Sequence, residues 1–150
     1  MTANSAYSSI APFYPDEAVQ KGVSKVFIGF IFSGYSLSMF IFAPVFSSML
    51  TKHGRKNVLL LGCIFEAVAM LSFGLFYYVS NPVWYGALSF LCRVIEGFGN
   101  GCLNSATSSF ICMRFENRMA NLISLNQTFT GLGMLSGPLV GSLLHQLGGF

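Results

Sequence analysis

Arg93 and Glu96 stand three residues apart in "RVIEGFGNG" (93–101), inside a chain of which only 9% is charged. Opposite charges at that spacing share one face of a helix and can pair. At ~100° per residue, Asn100, Asn104 and Thr107 continue the same stripe, with Gly97, Gly101 and Ser108 at its edge. An arginine in mid-membrane costs about 2.5–3.5 kcal/mol on insertion scales, so it faces a bundle interior or a water-filled cavity and takes a partner. Glu96 is the nearest candidate. Desolvation favours the neutral acid whereas the guanidinium favours the carboxylate, and a balance of the two suits proton exchange or a substrate-facing site. The bland alternative is an ion pair that only fixes helix packing.

Three further groups could contribute chemistry or motion. Glu66 is a lone intramembrane carboxylate, which is a functional candidate by default; its structural alternative is a carboxyl held between helices. In "GMLSGPLVGS", Gly133, Gly137 and Gly141 recur every four residues, a small-residue seam that admits a second helix closely. Pro138 lies within it and removes a hydrogen bond to the Met134 carbonyl, which predicts a kink or pliable point. Asn126 and Thr130 extend roughly the same face, and plain helix packing accounts for this stretch equally well. Lys52, Arg55 and Lys56 surround Gly54 in "TKHGRK", a composition suited to a tight turn. His53 and His145 lie near span ends and read as interfacial. No nucleophile–base pair is visible, and neither a metal nor another cofactor is implied. Cys63, Cys92, Cys102 and Cys112 lack metal-ligand spacing and read as small buried residues.

These groups need a scaffold, and the composition points to a membrane one. The 150 residues are 53% hydrophobic and include 16 phenylalanines, whereas soluble domains are roughly a quarter charged. The opening "MTANSAYSSIAPFYPDEAVQK" has neither the basic nor the apolar segment of a secretory signal, so targeting falls to a span. Four stretches supply the ~20 mostly apolar residues that a bilayer-crossing helix requires: 26–50, 57–78, 82–113 and 119–147. The third is long enough to tilt or project. The predicted fold class is therefore an all-α membrane protein of four transmembrane helices, with residues 1–25 a leading segment and 26–150 a helix bundle. Loops 51–56 and 114–118 hold five of the eight Lys and Arg residues, which makes them cytoplasmic by the positive-inside rule. The "VSNP" turn and both chain ends then face outside or a vesicle lumen. A net charge of +3, scattered along the chain, argues against a nucleic-acid partner. Asn126-Gln127-Thr128 matches a glycosylation triplet, but lies inside a span and is read as a chance match. "APVFSSML" (43–50) and "GPLVGSLL" (137–144) align weakly, a hint of repeated units.

Three local patterns, in this order, resemble the signatures of the major facilitator superfamily of secondary transporters. "SSMLTKHGRK" is similar to G-x-x-x-D-R-x-G-R-R at Lys52, Gly54, Arg55 and Lys56, with Ser47 in place of the leading glycine and Thr51 in place of the acid. "RVIEGFGNG" is similar to R-x-x-Q-G-x-G at Arg93, Gly97 and Gly99, with Glu96 in the glutamine position. "GMLSGPLVGS" is similar to G-x-x-x-G-P-x-x-G-G at Gly133, Gly137, Pro138 and Gly141, with Ser142 replacing the last glycine. The stretches "APFYPDEAVQKGVSKVFIGFIFSGYSL" and "SLNQTFTGLGMLSGPLVG" most resemble the vesicular amine and polyamine transporter branch, its polyamine type above all.

The resemblance implies helices two to five of a twelve-helix fold, preceded by the end of helix one, and hence a fragment that is inactive without the C-terminal half. It also implies exchange of protons for small organic cations, across a vesicle, secretory-pathway or plasma membrane, by a multi-pass protein in the lipid bilayer. In that setting Glu96, with Glu66, would carry charge or a proton, and Arg93 would control the state of Glu96. Tyr35, Asn100, Asn104 and Asn126 would line a cavity, while Lys52, Gly54, Arg55 and Lys56 would form a cytoplasmic gate loop. Gly97, Gly99, Gly101, Gly133, Gly137, Pro138 and Gly141 would form the conformational seam. A four-span adaptor without transport activity is disfavoured by the very short non-cytoplasmic loop. A truncated regulatory product remains open from the residues alone.

Overall fold

The computed structural model describes residues 14–20, 22–76 and 81–148, all in helices or short connections. After a short α1 (Tyr14–Gln20) come four long helices: α2 (Lys25–His53), α3 (Arg55–Leu75), α4 (Pro82–Arg114) and, beyond a 3-10 turn at Glu116–Arg118, α5 (Met119–Gly148). The expected start of the chain, 1–13, lies outside the described residues, as do 77–80 with the end of the second predicted span and half of the "VSNP" turn. The chain forms two compact units, Ala18–Glu116 with α2, α3 and α4, and Met1–Glu17 plus Asn117–Phe150 with α5.

Local sequence explains the helix limits. Ser24 caps α2 by accepting from the Phe27 amide at 3.3 Å. Asn81 caps α4 in the same way, accepting from the Val83 amide at 3.1 Å, and Pro82 occupies the first helical position, where its missing N–H costs nothing. The loop expected at 51–56 is much tighter in the structure. α2 runs through His53 and α3 begins at Arg55, so Gly54 alone joins them, at φ 78° and ψ 153°. A positive φ of that size strains residues with a Cβ, which is why a glycine turns the chain here. The second expected loop, 114–118, is likewise partly helical.

α2 and α3 are long and apolar enough to cross a bilayer. The expectation of four such spans is met by length and composition in these two. α4, at 33 residues about 50 Å long, falls short because its apolar run is broken by the polar stripe. Within the three-helix unit, α4 packs extensively on both α2 and α3, which touch each other much less. That packing buries one face and leaves Phe30, Phe40, Ile64 and Leu71 pointing outward, as expected of a surface solvated by lipid.

Glycines set the closeness of these contacts. A Cβ on Gly97 of α4 would collide with the Tyr35 carbonyl of α2. One on Gly62 of α3 would come within 2.9 Å of the Gly99 carbonyl of α4. Phe98, between these glycines, packs edge-on against Phe42, Phe46 and Phe65, each ring centroid 5.2 Å away. The sequence motif therefore alternates backbone approach with an aromatic wedge.

α5 carries Pro138 inside the helix, as α2 carries Pro44. Gly133 and Gly137 are buried, Asn126 and Thr130 half-buried. Gly141 lies in the same helix. Its hydroxyl side chains bond back to their own helix: Thr130 to the Asn126 carbonyl at 2.9 Å and Ser136 to the Gly133 carbonyl at 3.1 Å.

Candidate functional site: a buried polar seam

The stripe predicted on α4 is present and faces its neighbours. Arg93 is 0% exposed, and its Nη1 donates to Glu96 Oε2 at 2.9 Å, an i,i+3 pair within one helix. The guanidinium carbon lies 5.0 Å from the ring centroids of both Phe32 on α2 and Phe73 on α3. A cation between two aromatic faces in a desolvated site gains from both ring quadrupoles. Arg93 is thus held by Glu96 on its own helix and by a ring from each of the flanking helices.

One turn along α4 the seam crosses to α3. Asn100 donates from Nδ2 to Glu66 Oε1 at 3.1 Å, and Asn104 donates in turn to Asn100 Oδ1. Glu66, read as a lone carboxylate, is therefore partnered; its neighbour 34 residues away was invisible to local spacing. Glu66 and Glu96 are 8% and 1% exposed. Glu66 Oε2 and Glu96 Oε1 have no hydrogen-bond partner among the described residues. Each carboxyl thus keeps one oxygen to accept a proton, a water or a cationic group. On the α2 side, Ser38 donates to the Val94 carbonyl at 2.7 Å.

Of the residues assigned to a cavity, Tyr35 and Asn100 are buried within the three-helix unit and Asn104 is half-buried. Asn126 lies on α5, in the other unit. Gly97, Gly99 and Gly101 are all buried on α4, and the Phe46 ring occupies the space a Cβ on Gly101 would need.

Residues 1–150 match the sequence profile of the Major Facilitator Superfamily. The chain belongs to the Major Facilitator Superfamily. That family consists of transporters, not of enzymes. The MFS-type transporter SLC18B1 of Mus musculus is 33% identical over 144 residues, covering 96% of this chain and 31% of its own length. Multidrug resistance protein MdtG of Escherichia coli is 29% identical over 150 residues, covering 97% of this chain and 35% of its own. Riboflavin transporter RibZ of Clostridioides difficile is 30% identical over 106 residues, or 71% of this chain and 22% of its own. The chain spans about a third or less of the length of these relatives. No solved structure matches it.

At the signature that joins α2 to α3, Arg55 Nε donates to Ser109 Oγ at 2.9 Å and Nη2 reaches Met113 Sδ, tying the start of α3 to the end of α4. Lys52, Gly54 and Lys56 are exposed. Sequence reasoning missed Phe32, Phe73, Ser109 and Met113. For two of them a signal existed, because Phe73 stands two turns from Glu66 and Phe32 one turn from Tyr35, on the same helix faces. The cysteine reading needs correction, since Cys63 is exposed and Cys112 half-buried while Cys92 and Cys102 are buried. Cys63 lies beside the exposed Ile64 on α3. His53 is exposed; the side chain of His145 lies outside the described residues.

Proposed function

We propose that the chain supplies helices two to five of a proton-coupled antiporter that moves small organic cations, polyamines or monoamines, by alternating access in a vesicle, secretory-pathway or plasma membrane. The observation that carries this reading is the α3–α4 seam: two buried carboxyls, each with one oxygen uncommitted among the described residues, beside one arginine. A buried acid can exchange a proton when its surroundings rearrange, and the second carboxyl gives the seam room to hold one positive charge more. Similarity to SLC18B1 and to a multidrug resistance protein supports transport of small molecules. In this reading loops 51–56 and 114–118 are cytoplasmic. Asn104 and Asn126, with Tyr35 and Asn100 after helix movement, contribute hydrogen bonds to the pathway. The glycine and proline seam of α4 and α5 serves repacking between inward-open and outward-open states, and Lys52, Gly54, Arg55 and Lys56 form the cytoplasmic gate. Transport requires the second half of the fold, because the midplane site of such transporters lies between the halves.

The test is proton-driven uptake by the intact transporter containing this chain, reconstituted in vesicles. Glu96→Gln and Glu66→Gln are each measured for net uptake and for its dependence on pH. Uptake that keeps its pH dependence in both variants removes the coupling role. The aromatic clamp on Arg93 favours a second reading, in which the Arg93–Glu96 pair is a fixed pin of the bundle and Glu66 alone titrates. Loss of pH dependence in Glu66→Gln but not in Glu96→Gln selects it.

A further inference from the structure

Where α3 starts and α4 ends, a groove of about 400 Å³ opens on the three-helix unit, lined by Arg55, Lys56, Leu59, Ala106 and Phe110. Its lining is of two kinds, two cations and three apolar side chains. Arg55 is oriented by its bonds to Ser109 and Met113, partners that carry no negative charge. Among the described residues the one ion pair is Arg93–Glu96, so neither Arg55 nor Lys56 is neutralised by a carboxylate. Leu59 and Phe110 are exposed.

Position tells what solvent this groove meets. Gly54 joins two helices that are each long and apolar enough to cross a bilayer, so the first turn of α3 stands at a bilayer interface. A groove there with both cationic and apolar lining offers a partner to each half of a phospholipid. A soluble anion would use the cations and leave the exposed Leu59 and Phe110 unserved, whereas a zwitterionic lipid would use the apolar lining but present a headgroup without net charge. We propose that the groove binds one anionic phospholipid, its phosphate on Arg55 and Lys56 and an acyl chain along Leu59 and Phe110.

Native mass spectrometry of the chain released from micelles tests this with phosphatidylserine, phosphatidylcholine and inorganic phosphate as probes. One phosphatidylserine is expected to stay bound preferentially over phosphatidylcholine. Lys56→Gln is expected to weaken that binding about fivefold, the effect of one cation near an anionic lipid surface, and Lys56→Arg to retain it. Arg114→Gln removes an exposed cation at the same end of α4 that does not line the groove, and binding should not change. Equal retention of the two lipids overturns the proposal. So does a loss in Arg114→Gln as large as in Lys56→Gln, which would indicate general surface charge, or displacement of phosphatidylserine by an equal concentration of inorganic phosphate.

Discussion

Two arginines tie α4 to its neighbours, and they are satisfied in different ways. Arg93, on the buried face of α4, is wholly buried and uses a carboxylate at 2.9 Å together with two phenyl rings. Arg55, at the span's end and half-buried, makes do with a hydroxyl and a thioether. The family signature has an acid near Arg55 where this chain has Thr51, and the structure shows no carboxylate replacing it among the described residues. The difference follows from depth. Inside a helix bundle, away from bulk water and headgroups, a guanidinium depends on partners supplied by its own protein. At a membrane interface, by contrast, water and headgroups lie within reach of a guanidinium.

The comparison breaks first at Glu96. Glu96→Ala leaves Arg93 buried without its counter-ion and is expected to cost about 3–5 kcal/mol, whereas Arg93→Met with Glu96→Leu should recover most of that, since neither charge then remains. Unfolding in mixed micelles, followed through the single tryptophan Trp84, measures both. A double variant as unstable as the single one would mean that the rings and not the charges hold the seam. The next effect is steric. Gly97→Ala pushes a methyl into the Tyr35 carbonyl, which is backbone and cannot swing aside, at a cost of about 1–3 kcal/mol. Gly29→Ala, facing open space in α2, should instead stabilise by about 0.5–1 kcal/mol through helix propensity. Equal responses at the two sites would refute the close approach of α2 and α4. Smaller again, Asn100→Ala takes away the amide that serves Glu66 and should cost about 1–2 kcal/mol, read in the same micelle unfolding. A cost indistinguishable from zero would mean that Glu66 finds another donor.

How far this arrangement could be read from residue order depends on the range of the interaction. The α4 stripe was legible because Arg93, Glu96, Asn100 and Asn104 recur at helical spacing on one element. The helix limits at Ser24, Gly54 and Asn81–Pro82 follow from local chemistry, although the Gly54 turn is tighter than the charge run 51–56 suggests. Family signatures brought out Gly97 and Gly99 as packing residues before their partners were visible. What stayed hidden crosses between helices: Glu66 to Asn100, and Phe32 and Phe73 onto Arg93. With 16 phenylalanines in the chain, aromatic identity alone selects none, and the choice is made by how deeply α4 sinks between α2 and α3. Cys63 shows the converse error, since an apolar stretch in a membrane protein has an outer face that is as apolar as its inner one.

The finest test of the depth argument is Ser109. Its hydroxyl accepts from Arg55 Nε at 2.9 Å, a bond geometrically as good as that between Arg93 and Glu96. Were geometry decisive, Ser109→Ala would cost as much as removing Glu96. Removing an acceptor near the interface, however, leaves Arg55 within reach of water and headgroups, so the loss should be about 0.6 kcal/mol, the average for hydrogen bonds between membrane helices. The cost should also depend on the surroundings. Measured in micelles doped with phosphatidylserine it should shrink further, because a phosphate in the adjoining groove takes over the vacated donor. A Ser109→Ala cost above about 2 kcal/mol, unchanged by anionic lipid, would mean that Arg55 is as isolated from solvent as Arg93. Depth would then not be what separates the two arginines.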